Sequence, residues 1–143
     1  MKGLLSLITL MLLATPAFGQ VVVVAHASVP ADSISKNELL RLFSGDIEHW
    51  ADGSPVIVVD LAEKGAVRDS FYAYLGKTSS RMRSVWLKRK LTGEGELPHS
   101  IESQEELIDV ISQTAGAIGF VSRELTNGHP EIKVLIDSIP MTE

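Results

Sequence analysis

The run Val21-Val22-Val23-Val24-Ala25 restricts the fold of this chain more than any other segment. Four successive β-branched residues favour an extended strand. Neighbouring residues on a strand point to opposite faces, so an unbroken apolar run needs cover on both sides. That reading predicts an α/β sheet with helices on its faces, with Val21 to Ala25 buried as strands are in parallel sheets. Val56 to Val59, Gly116 to Val121 and Ile132 to Ile136 read as three further strands. The glycines of the Gly116 segment mark places where backbones approach closely.

Helices fill the intervals. Ser35-Lys36-Asn37-Glu38 and Ser103-Gln104-Glu105-Glu106 both match the capping box, a serine followed three residues later by Glu. Leu39, Leu40, Leu42 and Phe43 form the apolar side of the first helix, and Gly45 stops it. Glu63-Lys64-Gly65 leads into a second, with Val67, Phe71, Tyr74 and Leu75 as its stripe and Gly76 as its end. Ser79 or Ser80 opens a third, with Met82, Val85 and Trp86 inward. Leu107, Ile108 and Ile111 face inward from the helix at Ser103. The expected order is β-α-β-α-α-α-β-β. No repeat, low-complexity tract or linker divides it, so residues 20–143 are expected to form one domain.

Residues 1–19 read differently. Lys2 gives a positive start, Gly3 to Ala14 is uncharged and apolar, and Ala17 and Gly19 are spaced as at a cleavage site. The run is shorter than the roughly 20 residues that span a bilayer. The pattern predicts a secretory signal peptide cleaved after Gly19, and a periplasmic or secreted product. A buried N-terminal helix or an uncleaved anchor is the alternative. Losing Lys2 and no acid would take the formal charge from -5 to -6.

Several chemistries lack their residues. With no cysteine there is no disulfide, thiolate zinc site or thiol nucleophile. His26, His49, His99 and His129 have no metal-ligand spacing, so no metal and no cofactor is expected. No nucleophile elbow, P-loop or dinucleotide fingerprint occurs, and an enzyme is the weakest class. The acidic balance argues against nucleic acid. Lys77 to Lys90 nevertheless carries six basic residues and no acid. It reads either as a solvated helix face or as a docking surface for an envelope protein partner, through Arg81, Arg83 and Arg89.

The ordered motifs resemble the phosphate-type solute-binding proteins of ABC transporters. The matching segments are Leu39-Leu40-Arg41-Leu42-Phe43-Ser44-Gly45 with Trp50, Asp52 to Val59, Phe71 with Leu75, Trp86 with Leu91-Thr92-Gly93-Glu94-Gly95, and Gly116 to Val121. The resemblance covers roughly Val21 to Ser122. It implies a periplasmic-binding-protein-like fold of type 2, a single lobe with a mixed sheet covered by helices, similar mainly to the family's second lobe. It also implies a small oxyanion such as phosphate as ligand. In that family an Arg follows the second strand and a Ser-Gly-Thr turn opens the next helix. Here Asp60 and Lys64-Gly65-Ala66 hold those places. Lys64, Gly65 and Ala66 are the candidate ligand-binding residues, Lys64 by its charge and the helix start by the amides of Gly65, Ala66 and Val67, with Ser28 in the loop after the first strand as a further candidate. The alternative function is an envelope interaction module built on a scaffold that has lost its anion residues.

Overall fold

The computed structural model describes residues 19–141. The expected signal peptide therefore lies, apart from Gly19, outside the described residues. The elements are β1 (Gln20–His26), α1 (Lys36–Ser44), β2 (Ile57–Leu61), α2 (Ala66–Tyr74), α3 (Ser79–Leu91), β3 (His99–Ile101), α4 (Gln104–Gln113), β4 (Ala117–Ser122), a 3-10 turn (Arg123–Thr126) and β5 (Ile132–Pro140). No helix among the described residues is long and apolar enough to cross a membrane.

One five-stranded mixed sheet runs in the order β3-β2-β4-β1-β5. β2 lies parallel to both β3 and β4. β1 lies antiparallel to β4 and to β5, with Val21 opposite Ser122 and Ala25 opposite Ile118. Val21 to Ala25 are buried on both faces, as the apolar run requires. The parallel setting expected for them is corrected: burial on two faces reports cover, and cover says nothing of the neighbours' direction.

The two faces can be told apart on β4. Gly119 and Phe120 are adjacent and so point opposite ways. Phe120 stacks on Phe71 at 3.9 Å between ring centroids, beside Phe43 and Tyr72, which places α1 and α2 on its face. A Cβ at Gly119 would lie 2.8 Å from Ile111 Cδ1 and 3.1 Å from Leu107 Cδ2, so α4 covers the other face and sits close over the glycine. Trp86 of α3 joins the aromatic face, donating Nε1–H to the carbonyl of Phe43 at 2.6 Å.

The helix boundaries follow their caps. Ser35 and Ser103 accept from the N–H groups of Glu38 and Glu106. Gly45 ends α1 at φ 83°, bonded to Arg41 and Leu42. α3 starts at Ser79, as expected, and its cap is Thr78, which accepts from the N–H of Arg81. One expectation on α3 is corrected. Val85 is 40% exposed, because Met82 and Trp86 alone reach the core from that helix. β3 has no counterpart in the expected order.

Candidate functional site

The topology creates one crevice. β2 and β3 are neighbours and parallel, yet β2 leads into α2 on the aromatic face while β3 leads into α4 on the opposite face. Chain departures to opposite faces open a gap at the carboxyl ends of such strands, the usual ligand position in α/β sheets. The amide of Ala62 donates to the carbonyl of Ile101 at 2.7 Å, closing the floor of that gap. The N-termini of α2 and α4 both open beside it, each with its partial positive charge.

Lys64, Gly65 and Ala66 lie on this crevice. They line a 140 Å³ cleft with Leu61, Val67, Gln104 and the carboxylate-bearing Glu63. Gly65 is the N-cap of α2, at φ 148° and ψ -169°, and supplies no side-chain cap. Nothing lies within 4 Å of where its Cβ would stand, so glycine is needed there for backbone conformation and not for space. The start of α2 thus presents backbone without an intervening side chain, and Lys64 is the cation beside it.

Ser28 does not belong to this cleft. It follows β1, whose end pairs with the start of β4, and so lies at the opposite end of the sheet. Its hydroxyl accepts from the amide of Gly116 at 3.2 Å and contacts His26 Nδ1 at 2.7 Å. The hydroxyl ties the β1 loop to the start of β4. The two parts of the expected site are therefore separate.

Asp60 is the residue that sequence reasoning left without a role. It is 3% exposed and sits on β2 opposite Ser100 of β3. Tyr72 donates its hydroxyl to Asp60 Oδ1 at 2.5 Å, and Arg68 Nη2 stands 3.6 Å from Oδ2. Burial pushes the Asp60 carboxyl above its ordinary value, while the Tyr72 hydroxyl and the Arg68 charge oppose that rise. The Tyr72 phenol is driven far above its usual range, first by burial and then by the Asp60 charge, so it remains a donor. A carboxylate inside an apolar strand needs partners. That requirement was the available signal, and Arg68 and Tyr72, four residues apart on α2, satisfy it.

Asp60 and Arg68 border a second cavity of 230 Å³ between α3 and the β2–β3 edge, which shares Lys64 with the first cleft. Arg83 reaches it from α3, but Arg81 and Arg89 do not line it. Arg89 donates to the Gly45 carbonyl at 2.9 Å and lies 3.5 Å from Asp46, so it pins α3 to the end of α1. Positions 81 and 83 are about 200° apart on a helix. The three arginines therefore do not form the single docking surface expected of them. Among the described residues no group of three or more His, Cys, Asp or Glu is arranged to hold a metal.

No family model matches the sequence, and no curated protein matches it. Solved structures do match the fold. One is described as a phosphate ABC transporter substrate-binding protein from Clostridium perfringens with bound phosphate, at a TM-score of 0.66 and 13% identity. An ABC-type phosphate transport receptor from Vibrio cholerae matches at 0.63 and 14%, and PstS from Borrelia burgdorferi at 0.61 and 13%. Each match covers 82% of this chain but only 44%, 45% and 47% of the respective solved chain. The mixed five-stranded α/β lobe is thus shared with substrate-binding proteins, over less than half of their length.

Proposed function

We propose that this chain is a solute-binding domain that takes a small oxyanion such as phosphate at the N-terminus of α2, and that it binds without transforming its ligand. The observation that carries the reading is the coincidence of two things: a fold shared with solved phosphate-transport proteins, and Lys64-Gly65-Ala66 lying on that fold's switch-point crevice. Backbone N–H groups at a helix start point along the dipole toward an anion. Lys64 adds a point charge, which favours an oxyanion without fixing its orientation. We place the mature domain at residues 20–143 after removal of the leader at 1–19, which assigns it to the periplasm or the exterior.

Ala66 allows a clean test because it is the first helical residue. Proline is tolerated there, since its φ suits a helix start, but it removes one N–H from the proposed anion cradle. Thermal unfolding of the purified protein should shift upward with millimolar phosphate or sulfate. A ligand at about 100 times its Kd adds about 2.7 kcal/mol. Ala66→Pro should keep the unliganded Tm and lose most of the shift. No stabilisation by any small oxyanion at millimolar concentration would refute the reading.

A further inference from the structure

The 230 Å³ cavity beneath α3 has a different chemistry from the crevice at α2. Arg68 is the key to it. Its side chain is only 15% exposed, and its Nε is buried without a hydrogen-bond partner. Its contact with Asp60 is 3.6 Å, beyond a good hydrogen bond. Its guanidinium lies over the Tyr72 ring at 5.9 Å. One face of the fork is covered while its donating edge is under-used. Buried donors are nearly always satisfied, and a guanidinium edge matches two oxygens of a carboxylate or phosphoryl group.

Two more cations border the same space, Lys64 from the loop and Arg83 from α3, and Ser100 adds a hydroxyl. Three cations face one carboxylate. Asp60, paired with Arg68 and Tyr72, offsets one of the three, and the other two remain in excess. The remaining wall is apolar, made by Trp86, Leu87, Leu97 and Pro98. The Trp86 N–H is already given to Phe43, so the indole offers the cavity no donor of its own. At 230 Å³ the space falls just under the low end of small-molecule sites, about 300 Å³.

We infer that this cavity is a subsite for a small organic anion, a phosphonate or carboxylate on a short apolar body, with its oxygens on Arg68 and its body against Trp86 and Leu97. The subsite is built from side chains and does not require an inorganic ion at the start of α2. Arg68 reads the anion's two oxygens. Lys64 and Arg83 supply charge at the mouth, and the apolar wall distinguishes an organic anion from a bare inorganic one.

The test follows the indole N–H resonances of Trp86 and Trp50 in proton–nitrogen correlation spectra while phenylphosphonate, benzoate or inorganic phosphate is added. Trp50 bonds the Gly116 carbonyl at the far end of the sheet and serves as the internal control. A saturable shift of Trp86, but not of Trp50, is expected with phenylphosphonate or benzoate. Arg83→Glu, at an exposed rim position, should weaken it by about tenfold or more. Arg68→Lys keeps a charge for Asp60 but loses the fork, and should weaken it comparably. Ala66→Pro should leave it unchanged. A Trp86 resonance that does not move would overturn the inference, as would full affinity in Arg83→Glu. Loss in Ala66→Pro alone would place the ligand at the start of α2, upholding the oxyanion reading while sinking this one. Equal affinity for inorganic phosphate at Trp86 would remove the organic body from the assignment.

Discussion

Tyr72→Phe should destabilise the protein in a way that depends on pH. Tyr72 is fully buried, and its ring packs against Phe71 at 5.1 Å and Phe120 at 5.9 Å. Phenylalanine keeps that packing, so the change isolates the hydroxyl. What is lost is one short bond to Asp60. A bond to a charged group contributes about 1.5–3 kcal/mol, and one between neutral groups about 0.5–1.5 kcal/mol. Burial holds the folded-state pKa of Asp60 above its ordinary 3.8. Below 3.8 the carboxyl is protonated in both states. As pH rises from there through the folded-state pKa, ionising it in the fold costs stability. The Tyr72 bond reduces that cost, so removing it raises the folded pKa further and enlarges the deficit at high pH. The expected loss is about 2 kcal/mol near pH 7, falling to about 1 kcal/mol toward pH 4. Urea denaturation of both proteins across that range measures it, provided the m-values agree. A loss that does not change with pH, or one under about 0.5 kcal/mol at neutral pH, would mean that Asp60 does not ionise against this hydroxyl.

Two further substitutions probe the scaffold around the cavities. Gly116→Ala forces a Cβ to 2.3 Å from the Pro55 carbonyl at φ 79°, so left-handed strain and overpacking together should cost about 2–5 kcal/mol. A denaturation midpoint shifted by less than about 1 kcal/mol would contradict that geometry. Trp86→Phe leaves the Phe43 carbonyl without its indole donor and should cost about 1–3 kcal/mol, read as a lower Tm; an unchanged Tm would show that the bond contributes nothing.

Much of the scaffold was legible because its signals are local. Serines three residues before glutamates, and a glycine after an apolar helix face, made their own hydrogen bonds in the structure. The apolar run at Val21 reported burial faithfully, but strand direction depends on partners about 100 residues away. β3 escaped notice because its three residues, His99-Ser100-Ile101, carry too little pattern to be told from a loop. The candidate site divided in the same way. The start of α2 at Gly65 could be read locally, and Lys64-Gly65-Ala66 was proposed there only from the resemblance to a family turn. The association of Asp60, Arg68 and Ser100 could not, since it depends on β3 lying beside β2 and on α2 folding back over that edge. The distance of Ser28 from the α2 cleft was hidden for a related reason. Its loop follows an antiparallel strand, which carries it away from the carboxyl ends of β2 and β3.

The interior position of β1, between β4 and β5, also sets a schedule. Its two flanking strands, β4 and β5, follow every other strand of the sheet in the chain. Until then an emerging chain carries four consecutive valines with both hydrogen-bonding edges bare, the kind of segment that pairs indiscriminately with other strands. Closing the sheet joins residues about 100 positions apart, a slow step in folding. Completion therefore waits for β5, and a chain cut short before Ile132 would leave at least one edge of β1 open to aggregation.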